Sequence, residues 1–297
     1  MKQKSNTKTA TLAALAACII FGFSFMASRI AMEHTTPSML LSLRFLTALI
    51  IMSLLMLLRA GSLRLKGKPI GRFLLLGLCQ PVIYFIGESN GIKYTNSSFS
   101  GIMIALIPII TATVSALFFH EQLKLKKLLW ILRSLTGVIL ISLTQEGGTI
   151  RFEGILFLLL ADLAASAFTI LSRRLSDQFT AFERTYIIML MDSLFFTVSA
   201  AIESGSGYPT ALRAAVTDPG VFLPVLYLSV LSSVVAFFCQ NYATTYLDAT
   251  RVNVFSNITP VVSVIVGALL LHEPFSLIHI PGILLILLGV YMVNKTA

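Results

Sequence analysis

Residues 94–142 read YTNSSFSGIMIALIPIITATVSALFFHEQLKLKKLLWILRSLTGVILIS, and residues 246–294 read YLDATRVNVFSNITPVVSVIVGALLLHEPFSLIHIPGILLILLGVYMVN. A shift of 152 positions lays one on the other without a gap. Tyr94 falls on Tyr246, Pro108 on Pro260, Ala116-Leu117 on Ala268-Leu269, His120-Glu121 on His272-Glu273, and Gly137-Val138 on Gly289-Val290. Both stretches are strings of apolar runs of membrane length. Self-similarity in such a chain is the usual mark of a carrier whose two halves rock around a central site.

Composition agrees. Of 297 residues, 56% are hydrophobic and 12% charged, more apolar surface than a water-soluble core of this size can hide. Crossing a hydrocarbon layer of about 30 Å takes roughly 20 helical residues. Ten runs reach or approach that length: Thr9–Met32, Pro37–Leu58, Ile70–Ile92, Ser97–Phe119, Leu128–Leu143, Glu153–Ser172, Phe182–Ile202, Val221–Thr245, Thr250–Leu271 and Ile278–Val293. Long unbroken runs exclude a β-barrel, which needs short alternating segments. The expected fold is therefore an all-α integral membrane protein, with ten transmembrane helices as two inverted five-helix repeats. Residues 1–146 carry runs one to five and 147–297 carry runs six to ten. Lys2, Lys4 and Lys8 before the first run resemble a signal peptide, but that run is too long for one and belongs to the repeat, so it reads as a retained helix. Cys18, Cys79 and Cys239 sit in apolar runs with no metal or disulfide spacing, and read as small buried hydrophobes.

The net charge of +9 is distributed unevenly. With the N-terminus inside, the inner segments hold Lys2, Lys4, Lys8, Arg59, Arg64, Lys66, Lys68, Arg72, Lys124, Lys126, Lys127, Arg173, Arg174, Arg251 and Lys295. The outer loops hold only Lys93, Arg151 and Arg213. That asymmetry predicts both termini in the cytoplasm, and it accounts for the basicity without a nucleic-acid partner. Five helices per half, an odd number, make the second half enter the membrane upside down. Accordingly Lys124, Lys126 and Lys127 become Ser276, Ile278 and His279 in the repeat, on the side expected to face out.

These residues resemble the EamA-type branch of the drug/metabolite transporter superfamily. The resemblance rests on a Tyr-Thr before a helix (Tyr94), a mid-helix Pro108, Glu121 at that helix's end and Gly137-Val138 in the next. They recur at Tyr246, Pro260, Glu273 and Gly289-Val290, and the opening GFSFMASRIAMEHTTPSMLLSLRF is similar too, with Arg44 at the family's Arg-Phe position. Membership implies a cytoplasmic-membrane carrier of small metabolites, amino acids or drugs, usually an exporter, with no cofactor. One departure is Trp130 with Arg133, where the second half has Gly282 and Leu285; it bears on how closely the fifth helix packs.

An ionisable residue at mid-membrane is costly unless it is paired or faces water, so each one is a functional candidate. Asp162 and Asp192 lie near the middle of runs six and seven, and Glu88 in the outer third of run three, where its repeat mate is Gln240. A carboxylate in a low-dielectric cavity can exchange protons near neutrality, which makes Glu88, Asp162 and Asp192 proton-coupling candidates. For Glu88 the alternative is a structural ion pair with Arg44 or Lys93. Arg44 reads more as structural than substrate-binding, though in a cavity it would attract a carboxylate. Arg29 and Arg133 read as snorkelling to the interfaces.

In run nine, Asn253, Ser256, Asn257 and Pro260 follow i, i+3, i+4, i+7 and share one face, where run four offers Gly101, Ile104, Ala105 and Pro108. Candidate substrate contacts are Glu88, Gln240, Asn241, Asn253 and Asn257, with Tyr84 and Phe237 as aromatic walls; helix–helix glue is the competing role of the amides. Phe85 and Phe238 complete that aromatic group. Pro108 and Pro260 are candidate hinges, each removing a backbone hydrogen bond.

The reading is a secondary active or facilitative transporter, exporting amino acids or related small metabolites by alternating access. The alternative is proton-coupled efflux of organic cations or drugs. No nucleotide-binding motif, nucleophile–base pair or metal cluster is evident, so neither direct ATP drive nor an enzyme is expected. The two His-Glu pairs fall on opposite faces. The stretch Glu203–Gly220, the longest loop, shows no amphipathic pattern and suggests no receptor domain. Expected partners are a small-molecule substrate, protons and the lipid bilayer; monomer and homodimer are both compatible. As a test of topology, cysteines placed at Lys126 and Ser276 should react with an impermeant maleimide from opposite sides of intact cells; labelling from one side refutes the inversion.

Overall fold

The computed structural model describes residues 2–58, 61–64, 71–107, 109–111, 150–175, 178–247, 258–273 and 279–295, with isolated positions between them. All regular structure among the described residues is helical: α1 (Lys2–Met32), α2 (Pro37–Leu57), α3 (Gly71–Gly77), α4 (Tyr84–Tyr94), α5 (Ser97–Ile104), α6 (Phe152–Leu175), α7 (Ala181–Ser204), α8 (Tyr208–Thr217), α9 (Pro219–Tyr227), α10 (Phe237–Tyr246), α11 (Ile258–Leu270) and α12 (His279–Lys295). Thr7–Met32, Pro37–Leu57, Ala181–Thr217 and Pro219–Tyr246 are each long and apolar enough to cross a membrane, and shorter apolar helices accompany them. Half of the fifth run, Leu128–Leu143, and the 146/147 boundary lie outside the described residues.

Helix starts follow local chemistry. Thr36 caps α2 by accepting from the Met39 amide, with Pro37 in the first turn where its missing N–H costs nothing. Asn96 caps α5 through the Phe99 amide at 2.7 Å. Thr180 and Glu183 form a capping box on α7. Asp218 accepts from the Gly220 amide ahead of α9, while its other oxygen meets His34 at 2.9 Å.

Polarity is inside out. Ile50, Leu54, Leu57, Leu194, Val198 and Leu223 are exposed, whereas Arg44, Asp162 and Asp192 are at most 2% exposed. In water this would be unstable; in lipid the apolar face meets hydrocarbon and helices associate through close packing and hydrogen bonds. Small residues provide that packing. Gly87 and Gly91, one turn apart, press α4 onto Phe157, Leu158 and Ala161 of α6. At the positions 152 further on, α10 carries Cys239 and Ala243, and Ala243 packs against Ala10 and Ala14 of α1. On α5 and α11, Ser97 and Gly101 face Gly267 and Ser263 in reversed order, so these two helices run antiparallel. Helix α2 runs along α7, with Ser42 bonded to Thr197 and Ser53 to Tyr186. Gly137 meets the carbonyl of Gly282 and the side chain of Ile286, so the fifth run approaches α12 closely despite Trp130 and Arg133. Arg133 instead lies over the Trp130 ring, 4.7 Å from its centroid.

Two features depart from the sequence reading. The stretch Glu203–Gly220 is not featureless: after the turn at Gly205 (φ 53°) it forms α8, whose Tyr208, Ala211, Leu212 and Ala215 fall at i, i+3, i+4, i+7 and pack on Val221 and Leu228. The pattern hides in small alanines. Runs three and eight are also not uniform α-helices. Leu78–Ile83 between α3 and α4 is a kink joining two helices, and Leu228–Ala236 between α9 and α10, which overlaps it at the 152 offset, is π-helical. In the first, Gln80 leaves helical geometry altogether (φ −140°, ψ 108°), next to Pro81, which has no N–H to donate. Wide π-helical turns concentrate at functional sites.

A β-carbon on Gly87 would lie 2.6 Å from the Phe157 carbonyl oxygen and 2.9 Å from the Ala161 amide nitrogen, neither of which can swing aside. Gly87→Ala should therefore destabilise the protein by about 1–3 kcal/mol, read as a lower thermal midpoint of the purified protein. Gly71→Ala, where nothing lies within 4 Å, is the control and should change little.

Candidate functional site

The wide turn of Leu228–Ala236 brings Ser232 and Ser233 to Arg44 of α2. The guanidinium donates from Nε to Ser233 Oγ at 2.9 Å and from Nη2 to Ser232 Oγ at 3.0 Å. Ser24 of α1 donates to Ser232 at 2.9 Å, closing a chain of hydroxyls across three elements. The cation also lies over two rings, 4.7 Å from the Phe85 centroid and 5.1 Å from that of Phe45. Both contacts suit a planar, weakly hydrated guanidinium better than an ammonium.

Carboxylates surround it at longer range. Glu88 and Asp192 both act electrostatically on Arg44, but among the described residues no acid reaches ion-pair distance of it. The pair of Glu88 with Arg44 considered above is thus not a contact pair; Glu88 instead accepts from the Tyr84 hydroxyl at 2.9 Å, one turn away on α4. Asp162 of α6, close enough to feel the charge of Glu88, and Asp192 of α7 are fully enclosed, and neither carboxyl has a hydrogen-bond partner among the described residues. An unpaired buried carboxylate is expensive, so such groups hold protons, take ligands or both.

Aromatic rings wall this cluster. Tyr84 meets Phe85 edge-on at 4.9 Å, Phe85 meets Phe45 at 4.9 Å, and Phe237 meets Phe21 at 5.6 Å. Phe238 points away and is exposed, stacking on Tyr242.

The structure therefore brings together Tyr84, Glu88, Phe237, Asp162 and Asp192. Asn241 lies elsewhere: its amide donates to Thr185 at 3.0 Å, and its carbonyl accepts from Arg184 at 2.9 Å, joining α10 to the first turns of α7. That is roughly 12 Å along the helix from Ser233 at 1.5 Å per residue, and it is the glue role. Gln240, beside it, has a buried side-chain oxygen with no hydrogen-bond partner among the described residues. Asn253, Asn257 and Pro108 lie outside the described residues, as does the stretch just before α11, in whose first turn Pro260 sits buried. Ser24, Ser232 and Ser233 were not singled out from sequence; the only available signal was a serine pair in an apolar run of a chain with a buried arginine to satisfy.

Comparison with known proteins places these helices in company. Residues 8–143 and again 152–295 match the EamA-like transporter family. The chain is 28% identical over 290 residues to the uncharacterized transporter YcxC of Bacillus subtilis, covering 97% of this chain and 93% of that one. It is 26% identical to an uncharacterized transporter of Archaeoglobus fulgidus, covering 93% and 95%. A crystal structure with 18% identity covers 98% of both chains with a TM-score of 0.71, which shows a shared fold.

Removing both hydroxyls that hold the buried guanidinium should cost about 3 kcal/mol or more, since hydrogen bonds to charged groups contribute about 1.5–3 kcal/mol each. The double variant Ser232→Ala, Ser233→Ala should show a lower thermal midpoint. Adding Arg44→Met to it should recover part of the loss, because no cation is then left uncompensated.

Proposed function

The chain belongs to the EamA-like transporter family, and from that premise we propose that it exports amino acids or related small metabolites across the cytoplasmic membrane by alternating access. The observation that carries this reading is the buried polar cluster: Arg44, Glu88, Asp162 and Asp192 come from four different helices and meet inside an apolar bundle. A guanidinium facing carboxylates across a wall of rings suits a zwitterion, its carboxylate toward Arg44 and its ammonium toward the acids. Ten transmembrane helices in two inverted halves, both termini inside, are the architecture we assign. Support comes from the double family match, the kink of Leu78–Ile83 and the wide turn of Leu228–Ala236 overlapping at the 152 offset, and the related pairings of α4 with α6 and α10 with α1. Rocking would use that kink and that wide turn together with Pro108 and Pro260 as hinges. Residues Asn253 and Asn257 remain proposed cavity groups on sequence grounds.

A second reading, proton-coupled efflux of organic cations, is favoured by the enclosed carboxyls of Asp162 and Asp192. Protein reconstituted in liposomes with a trapped pH dye separates the two. Amino acid crossing without proton movement supports metabolite export; proton movement answered only by organic cations supports the second. In the second case Glu88→Gln should leave insertion intact and flatten the pH dependence of the transport rate. An unchanged pH profile in the variant removes Glu88 from proton coupling.

A further inference from the structure

Basic residues are scarce on the side assigned as outer: by sequence its loops hold Lys93, Arg151 and Arg213. Two of these three converge. Lys93 at the end of α4, Arg151 just before α6 and Arg29 near the end of α1 line one open cleft of about 560 Å³. Clefts of this size hold small molecules.

The cleft is built on fixed backbone. Arg29 Nη1 donates to the carbonyl oxygens of Ile92 at 3.1 Å and Lys93 at 3.5 Å, at the negative end of the α4 dipole. The Arg151 amide donates to the Tyr94 carbonyl at 3.0 Å. Tyr94 separates the two outer cations, with Lys93 Nζ 5.7 Å and Arg151 Cζ 5.8 Å from its ring centroid. That ring stacks on Phe157.

Its positive charge is only partly cancelled, with three cations against two carboxylates in the lining. None of the three cations lies in an ion pair among the described residues. Of the two acids that line the cleft, Glu273 is occupied: its two oxygens accept from the amides and hydroxyls of both Ser97 and Ser98. Glu33 is exposed and is the remaining negative group. Nor does the repeat partner of Lys93 keep the charge, since Lys93 corresponds to Thr245. Lys93 and Arg151 therefore run against the topological bias, and the repeated architecture does not require the charge at Lys93.

We propose that this cleft binds a small anion through carboxylate- or phosphate-type oxygens, which forks of Arg29 and Arg151 and the point charge of Lys93 would hold. This rests on the transporter reading and deepens it: the cargo would be a carboxylate-bearing solute held at the outer mouth as it leaves. A lipid phosphate offers the same oxygens.

Calorimetric titration of the purified full-length protein in phosphatidylcholine nanodiscs with L-glutamate tests the proposal, with a second arm in discs containing phosphatidylglycerol, read as phosphatidylglycerol retained after delipidating washes. Wild type should bind glutamate or retain the anionic lipid; the arm that responds identifies the source. Lys93→Gln, and the triple change Arg29→Gln, Lys93→Gln, Arg151→Gln, should weaken binding, the triple by at least about tenfold. About 0.5 M NaCl should weaken it in wild type. Arg213→Gln, outside the cleft, should not. Wild type that takes up neither anion overturns the proposal, as does Lys93→Gln binding as tightly as wild type. Binding is read at equilibrium without transport, so a failure here is distinguishable from failure of the export reading, which the liposome flux tests.

Discussion

A guanidinium shut away from water has to find acceptors, and that constraint organises the centre of this protein. Arg44 cannot shed its proton under ordinary conditions, so its surroundings must adapt. They do so by widening run eight into a π-helical segment that offers Ser232 and Ser233, and by recruiting Ser24 behind them. The rings of Phe45 and Phe85 cover the face of the cation. Helices α1, α2 and α4 and the turn between α9 and α10 are thereby tied to one side chain. Asp162 and Asp192, without hydrogen-bond partners among the described residues, are what the proposed chemistry of the same centre rests on.

Around that centre the helices are held by shape. Hydrophobic burial gives little preference between lipid and a neighbouring helix, so close approach through glycine and serine does the work. The seam of Gly87 and Gly91 against α6 and the crossing of Ser97–Gly101 with Ser263–Gly267 show it. At the latter crossing the missing side chain of Gly267 also makes room for the Glu273 carboxylate, which closes the N-terminus of α5. His272 supplies the sharp turn just before it, with φ at 51°.

Much of this was legible in the chain. The capping residues Thr36, Asn96 and Thr180 mark helix starts because their side chains complete amides that the helix cannot. Arg44, Glu88, Asp162 and Asp192 declare themselves because ions are rare in apolar runs. Other features depend on helix rotation, which periodicity fixes poorly in a run that is apolar all round. Ser232 and Ser233 therefore looked like ordinary small residues, and Asn241 looked as free to line a cavity as to bond Thr185. The amphipathic face of α8 was missed because alanine carries much of it.

The π-helical segment Leu228–Ala236 also constrains how the chain can vary. An α-helix advances about 100° per residue, so the wide turn is equivalent to one residue lodged in the helix without lengthening it much. Losing a residue within Leu228–Ala236 would let an ordinary helix form with its flanks still in phase, yet it would re-place the residues of the wide turn itself and take Ser232 and Ser233 off Arg44. In alignments of relatives, a one-residue gap at this place is therefore the expected trace of a rebuilt centre, whatever the surrounding identity.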